Sequence, residues 1–119
     1  PLAVSAPFHS SLLQGAAEQL RGYLRGVPLK SPHITLINNV DVAQPTDPDD
    51  IRDALARQAC HAVRWVECVQ AMSQAGCTTL VECGPGKVLH GLTRRIDPAL
   101  QSFALDDGAV IPSIQTALA

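Results

Sequence analysis

Apolar and polar residues follow several distinct periods along this chain, and the periods mark out its elements. Leu2 to Ala6 is short and apolar and predicts a strand. From Ser10 to Arg25, Leu12, Leu13, Ala16, Ala17, Leu20 and Leu24 recur every three or four residues, leaving Gln14, Glu18, Gln19, Arg21 and Arg25 for solvent. That spacing predicts an amphipathic helix, with Ser10 placed to cap its exposed amides and Gly26 to take the left-handed position at its end. Ile34-Thr35-Leu36-Ile37 is β-branched and apolar, as expected of a strand covered on both faces. Asn38-Asn39 closes it, either as a pair of turn formers or as amides lining a cleft beyond the strand.

A polar loop, residues 44–50, leads to a second helix, with Thr46 or Asp47 as cap, Pro48 in the first turn, and Asp49 and Asp50 complementing the helix dipole. Ile51, Ala54, Leu55 and Gln58 then fall at i, i+3, i+4 and i+7, which puts Gln58 on the buried face. Ala59 to Ala62 predicts the end of this helix, so carbonyls near Gln58 lose their intrahelical donors and can accept an imidazole N–H. Trp65, Val69 and Met72 give a further helix that Gly76 ends, with Trp65 as a core anchor. Thr78 to Cys83 predicts a buried strand in which Glu82 is the one charge.

Gly84-Pro85-Gly86-Lys87 lacks the spacing of a phosphate loop and predicts a tight strand-to-helix turn. The helix it opens would turn Val88, Leu89, Leu92 and Ile96 inward and Arg94 and Arg95 outward, and Pro98 would stop it. Ser102 to Leu105 predicts an edge strand, and Ala109 to Leu118 a short helix interrupted near Pro112. The alternation of strands and helices argues for an α/β fold, a parallel or mixed sheet flanked by helices.

Composition narrows the picture. At 119 residues the chain is one domain or part of one, and it opens at Pro1 inside an apolar run, as expected of a segment cut from something longer. A formal charge of -2 offers no basic face for nucleic acid or an anionic membrane. No apolar run approaches the roughly 20 residues of a spanning helix, and no stretch of these residues has the n-region and h-region pattern of a signal peptide. With 46% apolar residues but 3% aromatic ones, the core must be built from Leu, Val, Ile and Ala. Cys60, Cys68, Cys77 and Cys83 have neither zinc nor redox-dithiol spacing and are expected as free, mostly buried thiols in a reducing cytoplasm. His33, His61 and His90 also lack ligand spacing, so no metal or other cofactor is expected.

His9 is different, because it falls between the first predicted strand and the first predicted helix. A side chain at such a corner is held by two rigid elements yet can face a cleft, and imidazole can take and return a proton within one turnover. Around it, Ser5-x-Pro7-x-His9-x-x-Leu12 resembles the histidine motif of the malonyl-CoA:acyl carrier protein transacylases. Asn38-Asn39-Val40-Asp41, Ile51-Arg52-Asp53-Ala54-Leu55-x-Arg57-Gln58, Val63-x-Trp65 and Gly84-Pro85-Gly86-Lys87-Val88-Leu89-x-Gly91-Leu92 resemble later signatures of that family, in its order, and together they cover nearly the whole chain.

The resemblance implies the C-terminal part of an α/β-hydrolase-like acyltransferase domain over residues 1–119. Residues 1–9 would be the exit strand from a ferredoxin-like subdomain and residues 10–119 a segment of the large one. It implies malonyl transfer from coenzyme A to the phosphopantetheine thiol of acyl carrier protein through a serine ester, in cytoplasmic fatty acid biosynthesis. His9 would be the general base and the main-chain carbonyl of Gln58 its orienting partner. Phe8 would either limit room for an α-methyl group on the substrate or be a core or lining residue without selectivity.

The family's Gly-x-Ser-x-Gly elbow occurs nowhere in these 119 residues. The nucleophilic serine and the arginine that pairs the malonyl carboxylate would therefore come from a missing N-terminal part, and this chain alone should be inactive. Two alternatives are a noncatalytic module that binds acyl carrier protein, with Arg21, Arg25, Lys30, Arg94 and Arg95 meeting an acidic partner, and an unrelated α/β ligand-binding domain.

Overall fold

The computed structural model describes residues 6–119, so the strand predicted at Leu2 to Ala6 lies outside the described residues except for Ala6, which is a bend. The chain divides into two compact units, one ending at Trp65 and one comprising Val66–Ala119.

In the first unit a 3-10 turn, Ser11–Leu13, leads into helix α1, Gln14–Leu24, which buries Ala17 and Leu24. Ser10 does not cap by accepting from the amides: its Oγ donates to Pro7 O at 2.7 Å and so tightens the corner before the helix. Gly26 is not left-handed either; α1 closes through i→i+3 bonds from Gly26 N to Tyr23 O and Val27 N to Leu24 O, each 3.1 Å. Helix α2, Pro48–Gln58, is capped by Asp47, whose carboxylate accepts from Asp49 N at 2.7 Å. It packs on α1 and buries Ala54 and Ala56.

Residues 34–37 form no strand. Their apolar, β-branched character favours extended backbone, but a strand also needs a ladder partner, and among the described residues none is supplied. Ile34 accordingly stays exposed. Asn38 is a turn former. Its Oδ1 accepts from Val40 N and Asp41 N at 3.1 and 3.0 Å, and its backbone N donates to Ala43 O at 3.0 Å.

Helix α3, Trp65–Gln74, buries Cys68 and Val69 and is followed by Gly76, the residue expected to end it, which is left-handed at φ +91. In the second unit, strands β1, Thr79–Glu82, and β2, Gln101–Ala104, pair in parallel from Thr79 opposite Gln101 to Glu82 opposite Ala104. A parallel pair needs a crossover, and helix α4, Val88–Ile96, provides it and packs on both strands. Glu82, the lone charge of β1, accepts from His90 N at 2.8 Å and satisfies an exposed amide of the first turn of α4. Gly86, at φ +93, makes the turn between them possible.

Several side chains depart from the pattern. Val88, Leu89 and Leu92 are exposed; α4 buries Thr93 instead, because a two-stranded sheet covers only a narrow stripe of a helix. Cys60 and Cys68 are buried, whereas Cys77 and Cys83 are exposed, since both flank the short strand β1 rather than lying in it. Pro112 does not interrupt the last helix. It sits in the first turn of α5, Ile111–Leu118, where its missing N–H costs nothing. Among the described residues no helix is long and apolar enough to cross a membrane.

Candidate active site

His9 is held at a corner by short local bonds. Phe8 N donates to Ala6 O at 2.9 Å, Ser10 Oγ binds Pro7 O, and Leu13 N donates to Ser10 O at 3.0 Å as the 3-10 turn begins. The backbone of His9 itself is left-handed, at φ +56, a conformation that costs a residue with a Cβ and that persists only where its surroundings hold it. The imidazole is exposed and its Nδ1 lies 2.8 Å from Gln58 O.

That contact fixes the chemistry of the ring. A carbonyl oxygen only accepts, so Nδ1 carries the hydrogen, and in the neutral ring Nε2 is left with a lone pair. Gln58 O is available because of how α2 ends. Ala59 N and Cys60 N turn back to Ala56 O and Arg57 O, at 3.4 and 3.1 Å, and His61 Nδ1 donates to Arg57 O as well, at 2.8 Å. The carbonyl of Gln58 goes to His9.

The structure thus brings His9 and Gln58 together. Phe8 immediately precedes His9 and is 59% exposed, so among the described residues it is no core side chain.

The same helix carries polar residues whose part the sequence reading left unassigned. Arg52 donates from Nε to Leu24 O at 3.0 Å, alongside the bond from Val27 N, and from Nη2 to Val27 O at 2.9 Å, so it ties α2 to the carbonyls where α1 ends. Asp53 pairs with Arg21 of α1 and with Arg57 on its own helix, so Arg21 is not left to solvent. Arg57 also reaches Asp41 in the turn after Asn38, Nη2 to Oδ2 at 2.8 Å. Hydrogen bonds first from Arg21 and then from Arg57 hold the Asp53 carboxyl below the usual carboxylate range. Partial burial pushes Asp41 up, but the bonds from Arg57, Ala43 and Asn38 outweigh it and its net shift is downward. Arg57, between the two carboxylates, is shifted upward by its bonds to Asp53 and Asp41. The i, i+4 spacing of Asp53 and Arg57 was a visible signal; the partners on other elements were not.

No family model matches the chain. It is 46% identical over 115 residues to the malonyl CoA-acyl carrier protein transacylase of Haemophilus influenzae, a match that covers 97% of this chain and 37% of that protein. Among solved structures it is similar to an acyl-carrier-protein S-malonyltransferase from Burkholderia pseudomallei, with 54% identity, a TM-score of 0.91, and 98% of this chain against 38% of that one covered. It is also similar to a malonyl-transacylase solved in complex with its type II PKS acyl-carrier protein, at 41% identity and a TM-score of 0.90, over 98% of this chain and 38% of the other. The chain therefore spans little more than a third of the length of these relatives, and it corresponds to their C-terminal part.

Proposed function

Because this chain belongs to the malonyl CoA-acyl carrier protein transacylase family, we propose that it supplies the general base of an enzyme that moves malonyl groups from coenzyme A to acyl carrier protein. The observation that carries the reading is the 2.8 Å contact between His9 Nδ1 and Gln58 O, which leaves Nε2 free to take a proton. No Gly-x-Ser-x-Gly segment is present in the 119 residues, so the nucleophilic serine belongs to the remainder of the enzyme.

In the first half-reaction Nε2 takes the serine proton as the hydroxyl oxygen attacks the malonyl thioester. The coenzyme A thiolate then leaves and takes that proton from the imidazolium. In the second half, the phosphopantetheine thiol of acyl carrier protein gives its proton to Nε2 and attacks the serine ester, and the proton returns to the serine oxygen as it departs. The carbonyl of Gln58 takes the orienting place that a carboxylate fills in a Ser-His-Asp triad. Phe8, beside the base, limits space at the malonyl α-carbon. The assignment of residues 10–119 to the large subdomain completes the reading, with bacterial-type fatty acid synthesis in the cytoplasm as its setting.

Replacing His9 with Ala in the complete enzyme is expected to lower malonyl transfer by about 100- to 10,000-fold while the protein stays folded. Unchanged turnover would overturn the assignment. The 119-residue chain alone should show no malonyl adduct by intact mass spectrometry, and binding of acyl carrier protein without any effect of His9 would favour a noncatalytic module instead.

A further inference from the structure

We propose that Asp41 and Arg57 are positioning residues for His9, acting through the carbonyl of Gln58. The inference rests on the transacylase reading for its kinetic consequence, but not for its geometry. Arg57 immediately precedes Gln58, and its guanidinium is shared between two carboxylates, Asp53 at 2.5 Å and Asp41 at 2.8 Å. Asp53 is in turn bound by Arg21 of α1, so ion pairs from α1, α2 and the turn at residues 38–43 converge on the last turn of α2.

The chain beyond Gln58 is pinned to that same turn. Arg64 N donates to Asn39 O at 2.8 Å, and Arg64 Nη1 donates to Asp41 O at 3.3 Å. Asp41 therefore receives both ends of the stretch that contains Gln58, Arg57 on its carboxylate and Arg64 on its main-chain oxygen. With both ends held, the direction of the Gln58 carbonyl is set by this turn rather than by the helix end alone, which would otherwise fray.

Backbone strain falls on the same circuit. Among the described residues the non-glycine positions with left-handed backbone are His9, at φ +56, and Val42, at φ +64. A β-branched residue strongly resists that conformation. Val42 lies next to Asp41, where Ala43 N donates to Asp41 Oδ1 at 3.2 Å and the carboxylate's other oxygen holds Arg57. One strained residue is the base itself and the other adjoins the carboxylate that anchors the base's partner. A bridge that merely stabilised the fold would not require strain at its anchor.

The test uses Arg57→Gln and the near-isosteric Asp41→Asn in the complete transacylase, with each variant's fold checked by circular dichroism. Both are expected to lower kcat by roughly 10- to 100-fold, the scale of a small misplacement of a catalytic group. The KM for malonyl-CoA should stay within about 2-fold, since neither side chain touches substrate in this reading. In selectively 15N-labelled protein, the His9 ring should pass from one Nδ1–H tautomer to a mixture of both. A folded variant with an unchanged His9 tautomer overturns the proposal, whether or not its activity falls. Should Arg57→Gln not fold, Asp41→Asn alone decides. If His9→Ala leaves transfer intact the transacylase reading fails by itself, and the ring spectrum still decides the positioning role.

Discussion

The two units of this chain are stabilised in different ways. The second follows local rules: a parallel pair of four-residue strands, a crossover helix capped by the preceding strand's Glu82, and glycines at +91 and +93 where left-handed backbone is needed. The first is tied by side chains that reach across the sequence, Arg21 to Asp53, Arg52 to Leu24 and Val27, and Arg57 to Asp41. It also puts left-handed backbone on a histidine and a valine, where glycine would cost less. The second unit also has links across the sequence, Ser73 to Asp97 and Lys87 to Asp106, but its left-handed backbone falls on glycine, whereas in the first unit strain falls on residues with a Cβ, where a side chain must be aimed.

Substitutions can break or sharpen that contrast. The largest stability loss is expected from Val69→Ala, which removes two methyl groups from a fully buried site in α3 and should cost about 2 kcal/mol by denaturant titration, with malonyl transfer by the complete enzyme little changed below the melting temperature. Gly86→Ala comes next: nothing crowds the position, so the cost is that of forcing a Cβ into φ +93, about 1–2 kcal/mol in the same titration.

The ion pairs give a smaller effect with a defined pH dependence. The folded pKa of Asp53 lies below its ordinary 3.8, so the unfolded chain binds the proton more readily. The resulting stability is fully present above about pH 5 and is lost as pH falls through the folded value. Asp53→Asn should flatten the acid limb of a melting-temperature profile, by less than about 1 kcal/mol because both partners are part-exposed. A steeper acid limb in the variant would contradict the pairing. The smallest effect, and the one of opposite sign, is expected at Val42. Val42→Gly relieves left-handed strain but adds chain entropy, so stability should rise by no more than about 1 kcal/mol while transfer falls if the turn aims Gln58.

Much of the architecture was written in local pattern. The three- and four-residue spacing located the helices, Asp47 and Pro48 opened α2, Gly76 closed α3, and two apolar runs became β1 and β2. The end of α2 near Gln58 was also legible, and with it the presence of an unclaimed carbonyl, because a helix must leave its last acceptors open. Whether an imidazole 49 residues away meets that carbonyl depends on how the elements pack.

What only the tertiary structure decided was everything that needs a partner distant in sequence. Residues 34–37 carry a strand's composition without a strand's ladder, Arg21 lies on a face that reads as solvent yet binds Asp53, and Ser10 turns away from the amides it was placed to cap. Periodicity records which face of an element is apolar, a property of neighbours along one helix or strand. Ion pairs, ladders and strained dihedrals arise from distances between segments, and the packing of α1, α2 and the 38–43 turn sets those distances around His9.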